Sequence, residues 1–136
     1  MYELEMNGQV VQLNFGMGFL REINKTVSAS VNGLDGVRQN IGLRYTVSRL
    51  IDKDAEALAE VLSIANKNCQ PRLTKEAIDL FIDDEGTDID KTFDQVLGFL
   101  KTANATKNVT QEVIENVKKE MAKQEAIEKM RMKSMT

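Results

Sequence analysis

The chain has 136 residues, 42% apolar and 29% charged, with 18 Lys and Arg against 21 Asp and Glu and a net charge of −3. Those values describe one soluble globular domain with a single modest core. There is no histidine and one cysteine, Cys69, which excludes Ser-His-Asp and Cys-His catalysis, His-ligated zinc or haem, an intramolecular disulfide and Cys-only metal clusters.

The N-terminus reads as a β-hairpin. Tyr2, Leu4 and Met6 alternate with Glu3 and Glu5, Asn7-Gly8 follows, and Val11, Leu13 and Phe15 then alternate with Gln12 and Asn14. Asn-Gly suits the positive φ angles of a type I′ turn. A two-residue loop there pairs Met6 with Gln9, Leu4 with Val11, Tyr2 with Leu13 and Glu3 with Gln12, so one side is apolar and the other polar. An isolated hairpin is marginal in water, so the apolar side must cover something; the next segment is the expected partner.

Residues 16–27 read as a short helix with Phe19, Leu20, Ile23 and Val27 on one face. Residues 28–37 carry Asn32-Gly33 and Gly36 and read as an exposed, mobile loop. A second helix is expected from about Arg38 to Ile51, burying Leu43, Val47, Leu50 and Ile51. A third, 53–66, is capped by Asp52 or Asp54 and buries Ala55, Leu58, Val61, Leu62 and Ala65. The two could also be one bent helix. The segment from Asn66 to Pro71 breaks the pattern. Thr74 caps a helix over 75–83, with Leu73 stapled to Ile78. Thr87 caps 88–103, with Asp88 and Asp90 in its first turn and Ile89, Phe93, Val96, Leu97 and Leu100 buried. Thr110 caps the last helix, with Val109 and Ile114 as the staple and Val113, Ile114, Val117 and Met121 on one face. Beyond Met121 the stripe fades at Gln124 and Glu128, so residues 122–136 are expected to fray or to lie exposed until something binds them. The expected fold is therefore mainly α: an N-terminal β-hairpin, about residues 2–15, packed on a bundle of five or six helices. Residues 1–104 form its globular part and 105–136 a C-terminal helix and partly flexible tail of the same domain.

Candidate chemistry is sparse. The segment from Asp83 to Asp90 holds five carboxylates, yet an EF-hand register that puts Gly86 at position 6 starts at Phe81 and ends at Thr92, neither a carboxylate. An acidic helix junction is the plainer reading. Gly16-Met-Gly18 lacks the third glycine and the Lys-Ser/Thr of a phosphate turn. It reads as a strand-to-helix corner or a close-packing site. Cys69, without a base, reads as an incidental surface or half-buried thiol. Arg38, Arg44 and Arg49 share no helical face and read as solvated charges. Four of the seven methionines, Met121, Met130, Met132 and Met135, fall in the last 16 residues. They fit either an adaptable apolar contact surface or a packed Met121 followed by a disordered end. Residues 105–136 carry seven basic and five acidic groups, against eleven and sixteen in residues 1–104. No metal, cofactor or catalytic residue is expected, nor an enzyme, a nucleic-acid binder or a membrane protein. The longest uncharged run, from Met6 to Leu20, falls short of a bilayer span. Glu3 and Glu5 stand where a secretory signal carries positive charge, so the protein is expected to stay in the cytoplasm.

The opening Met1-Tyr-Glu-Leu-Glu-Met-Asn-Gly-Gln, followed by Leu13-Asn-Phe-Gly-Met-Gly-Phe-Leu-Arg-Glu-Ile-Asn24, resembles the start of tail assembly chaperones of long-tailed phages and prophages of Gram-positive bacteria. The likeness continues through Gly42-Leu43, Leu50-Ile51-Asp52, the stretch from Ala55 to Asn66, Ile82-Asp83-Asp84, Thr87-Asp88-Ile89-Asp90 and Phe99-Leu100. The last 30 residues match only in character, as a charged helix. The resemblance implies a protein of the host bacterial cytoplasm that binds the tape-measure protein, helps recruit tail-tube protein around it, and is absent from the mature virion. It also implies a minor, longer frameshifted form in many members. A structural virion subunit, such as a head–tail joining or tube protein, is the alternative, and homo-oligomers are compatible with either. The family supplies no motif-level contact residues. Physical reasoning alone nominates Phe15, Met17 and Phe19 at the strand-to-helix corner, and Ile114, Val117 and Met121 on the last helix, with spacings suited to helix recognition.

Overall fold

The computed structural model describes residues 1–27 and 40–135. The expected loop over 28–37 and the expected helix start at Arg38 lie outside the described residues. Two strands, β1 (Tyr2–Met6) and β2 (Gln9–Leu13), are followed by six helices: α1 (Met17–Lys25), α2 (Ile41–Ile51), α3 (Ala55–Asn66), α4 (Lys75–Asp83), α5 (Ile89–Thr102) and α6 (Lys107–Ser134). The fold is mainly helical with an N-terminal antiparallel hairpin, as expected.

The hairpin has the predicted register. Tyr2 pairs with Leu13, Glu3 with Gln12, Leu4 with Val11 and Met6 with Gln9. Asn7 and Gly8 take φ of 53° and 77°, the left-handed values a type I′ turn demands. Leu4, Met6, Val11 and Leu13 are buried. Their partners extend well beyond the next segment. The Tyr2 ring lies 5.0 Å from Phe99 of α5 and 5.8 Å from Phe15, and Phe15 lies 5.0 Å from Phe19 of α1. The backbone N–H of Asn14 donates to the Ala65 carbonyl at 2.8 Å, which ties the end of β2 to α3.

One buried side chain holds this junction. Asn66, the last residue of α3, is fully buried. Its Nδ2 donates to the carbonyls of Gln12 and Pro71 at 3.1 and 3.0 Å, and its Oδ1 accepts from the Leu73 N–H at 2.6 Å. The Gln12 N–H in turn donates to the Gln70 carbonyl at 3.2 Å. Half-buried backbone groups that no helix or strand pairs are thus satisfied by one amide. Cys69 sits in the same turn and is buried, its thiol 3.5 Å from the Ala65 carbonyl. This corrects the reading of a surface or half-buried thiol: the turn folds back onto α3.

Helix starts divide into local and tertiary cases. Asp54 caps α3, its Oδ1 accepting from Glu56 and Ala57 N–H, and Thr74 caps α4 by accepting from Ala77 N–H at 3.1 Å. Helices α2 and α3 are two separate helices, since Lys53 between them takes a φ of 59°. Ala55 is exposed and Ala57 takes its place in the core. The expected caps of the last two helices are displaced. Asp88, not Thr87, caps α5, its Oδ1 accepting from Lys91 N–H at 3.1 Å. Thr87 is held in the preceding turn, its N–H donating to the Asp84 carbonyl. Helix α6 begins at Lys107, not at Thr110. Thr110 is fully buried one turn inside, and its hydroxyl has no hydrogen-bond partner among the described residues. The reason lies in the corner from α5: the Thr106 hydroxyl donates to the Leu100 carbonyl at 2.7 Å, and the Lys107 N–H donates to the Ala103 carbonyl at 2.8 Å.

The start of α2 is capped from α1. Asn40 precedes α2 in a left-handed conformation (φ 63°) and makes no side-chain cap of its own. Asn24 supplies it, with Oδ1 accepting from Leu43 N–H at 2.9 Å and Nδ2 donating to Asn40 Oδ1 at 3.0 Å. The two helices meet at Gly42, where a Cβ would fall 2.3 Å from the Ile23 carbonyl oxygen and 2.5 Å from the Asn24 Cα. Only glycine permits that approach.

Two of the arginines read as solvated charges are ion-paired, because tertiary packing brings carboxylates to them. Arg49 donates to Asp54 at 2.9 Å and to Glu60 at 3.0 Å, and Arg44 donates to Glu112 of α6 at 3.1 Å. The hydrogen bond from Arg49 holds the Asp54 carboxyl below its ordinary value, and the one from Arg44 does the same for Glu112.

Asn66→Ala strands two carbonyls and an N–H, and should lower stability by about 3 kcal/mol in urea unfolding. Asn66→Asp, which sets a carboxylate against both carbonyls, should cost at least as much. Gly42→Ala should cost roughly 2–3 kcal/mol because the new methyl meets backbone. Gly98→Ala, in open space within α5, should be neutral or stabilise by up to about 1 kcal/mol. Because both carboxyls titrate lower in the folded chain, their contribution is present above the unfolded-chain carboxylate range and is lost as the pH falls through the lowered folded values. Asp54→Asn, which keeps a capping oxygen, combined with Glu112→Gln should therefore lower Tm at neutral pH. The gap to the parent should close progressively in acid when melts are followed by circular dichroism.

Candidate protein-interaction surfaces

The six nominated contact residues do not form one surface. Phe15 and Phe19 are buried in the ring cluster beneath the hairpin. They hold the strand-to-helix corner together and present no exposed face. Met17 is 51% exposed and borders an open cleft of about 450 Å³, together with Met1, Tyr2 and Ala103. Ile114 and Val117 are half-buried in the seam between α6 and the body, and Met121 is 63% exposed.

Helix α6 explains that gradient. Its first three turns are fastened to the body by the Arg44–Glu112 pair, by Gln111 Nε2 donating to the Lys101 carbonyl at 3.1 Å, and by buried Val113. From Lys118 every described residue is exposed, yet the helix remains regular to Ser134. The expected alternatives were fraying or exposure, and the helix shows exposure without fraying. The 18 residues from Lys118 to Met135 form an arm about 27 Å long. Met121, Ile127, Met130, Met132 and Met135 are five of the large apolar side chains exposed on the described surface. Ile127 is the one the fading stripe concealed, because it lies off the line from Val113 through Val117 to Met121. Val10, Tyr45 and Leu80 are further exposed apolar residues absent from the nominated set. Tyr45 lies beneath the Arg49 guanidinium, 5.4 Å from ring centroid to Cζ.

A second concave surface runs between α3 and α4. It encloses about 530 Å³ above Ala59, Ile64 and Ile78, with Glu56, Glu60 and Asp79 along its rims. The acidic junction from Asp83 to Asp90 is a turn and a cap. Asp84 Oδ1 accepts from Gly86 N–H at 2.8 Å, and Asp88 opens α5. Among the described residues no three His, Cys, Asp or Glu side chains are grouped to hold a metal ion. Gly16 precedes α1, its N–H donating to Asn14 Oδ1 at 2.8 Å. A Cβ at Gly18 meets nothing within 4 Å, so that glycine is not a close-packing site. Among the described residues no helix is long and apolar enough to cross a membrane.

No curated protein and no solved structure is a match to the chain. A family model described as phage tail assembly chaperone protein, TAC, matches residues 3–115. That span runs from β1 through the fastened turns of α6 and stops where the arm leaves the body. It covers the hairpin, the Asn66 junction and the packing of α1 on α2. With most of its length matched, the chain belongs to the phage tail assembly chaperone family, whose role implies protein partners in tail assembly.

Proposed function

We propose that the protein acts in the host bacterial cytoplasm, binds the tape-measure protein as an extended helical client, helps recruit tail-tube protein around it, and departs before the virion is complete. It does so without catalysing a reaction. The observation that carries this reading is the arm of α6, an exposed helical segment with five large exposed apolar side chains, joined to a body built around one buried apolar core. A protein that shields an aggregation-prone chain needs apolar contact surface that adapts to irregular partners, and methionine provides it at low cost in strain.

Co-expression with the tape-measure protein tests the reading. The client's soluble yield should rise severalfold with the chaperone present. Met121→Glu, Met130→Glu and Met132→Glu together should abolish most of that gain. Because these side chains are exposed, the triple variant should melt within a few degrees of the parent. An unchanged soluble yield with the parent chain refutes client binding. Recovery of the protein in purified virions at the copy number of a structural component refutes its departure.

A further inference from the structure

The charges on the arm are sorted around the helix. At about 100° per residue, Lys118, Lys119, Lys123, Lys129 and Lys133 all fall on one half of the helical surface, with no carboxylate among them. Glu120, Glu125 and Glu128 all fall on the other half, with Met121, Met132 and Met135 and with one cation, Arg131. The glutamate half continues the line of Val113 and Val117, the side by which α6 is seated on the body. The lysine half therefore faces away from the body. Along its middle run Ala122, Ala126 and Met130, four residues apart, in a ridge of the kind that packs against a second helix. Ile127 borders that ridge and is 58% exposed.

We propose that the lysine half of the α6 arm is a docking face for an acidic amphipathic helix of a partner protein. This rests on the client-binding reading above and gives the chemistry of the segment that the arm would engage. Ala122 and Ala126 let the partner approach closely, Met130 and Ile127 supply apolar contact, and Lys118, Lys119, Lys123 and Lys129 pair with carboxylates flanking the partner's apolar stripe. A phosphate backbone offers Ile127 and Met130 nothing to bury against. A bilayer surface requires a broader apolar face than these two residues make.

The test uses the full chain and a labelled designed peptide, an amphipathic helix with leucine heptads flanked by glutamates, followed by fluorescence anisotropy. Saturable binding is expected. It should weaken at least about tenfold in the variant Lys118→Gln, Lys119→Gln, Lys123→Gln and Lys129→Gln, and similarly in roughly 0.5 M salt. The variant's circular dichroism and Tm should match the parent, since all four side chains are exposed. The proposal is overturned by equal binding of the variant, by equal binding of a peptide with glutamine in place of glutamate, or by tighter binding to duplex DNA or phosphatidylglycerol vesicles. Sedimentation showing that the arm is instead occupied by a second copy overturns it too. The designed peptide contains no tail-protein sequence, so the two readings fail separately. A client kept soluble by a chain that ignores the peptide sinks only the docking face, and peptide binding without client solubilisation sinks only the client reading.

Discussion

A single buried amide organises the centre of this molecule. Asn66 ends α3, and from there it reaches a strand carbonyl, a carbonyl in the following turn and the N–H that leads into α4. Apolar contact alone would hold the hairpin against α3 and α5 without fixing where it lies, because hydrophobic burial is non-directional. Hydrogen bonds from Asn66 to Gln12, from Asn14 to Ala65 and from Gln12 to Gln70 give β2 one position on the helical layer. With β2 so placed, Tyr2 and Phe15 meet Phe99 and Phe19, and the aromatic cluster closes. Asn66 therefore acts as a positional constraint, and its own amide, being fully buried, cannot turn to water instead.

The packing of α1 on α2 repeats that logic at smaller scale. The end of α1 provides both the cap for α2 and the backbone surface that excludes any side chain at Gly42. A helix whose first turn is capped by a neighbour cannot drift along it without leaving its own N–H groups unpaired. Helix α2 then supplies the platform for α6, to which Arg44 is joined through Glu112. A chain of polar fixings thus runs from the hairpin through α3 and α2 to the base of the arm.

What the sequence made legible and what it did not divide along contact distance. The hairpin register follows from Asn7-Gly8 and a period of two, and the caps at Asp54 and Thr74 act within three residues of themselves; each is a local rule. Asn66 bonds to Gln12, 54 positions away, and Asn24 to Leu43, 19 away; nothing local marks either as different from any other asparagine. Thr87 and Thr110 have the form of caps but do not act as caps, because Asp88 outcompetes the one and the α5–α6 corner starts the helix before the other. The contact residues suffered most. Phe15 and Phe19 look the same in sequence whether they face a partner or the core, and only the arrival of Tyr2 and Phe99 decides it. The fading of the α6 stripe was visible, but following apolar residues alone concealed the separation of lysine from glutamate on the same turns.

The body and the arm obey different physical demands. In the body nearly every apolar stripe meets another, and its fold closes around one core. The arm has no such partner. Eighteen exposed residues are marginal as an isolated helix, and this one is sustained because its nucleus is already formed in the turns packed on α2 and α5. Anchoring the base therefore preorganises the exposed half: a partner that docks there does not bear the entropy of ordering it. The family match ends at residue 115, two positions before Val117, the last half-buried side chain of α6. The shared fold is thus the part that fixes the base, while the lysine and methionine pattern beyond it lies outside the matched span. A substitution in the arm can alter which surface it accepts while leaving the Asn66 junction and the α1–α2 crossing untouched, because no buried contact of the body passes through residues 118–135.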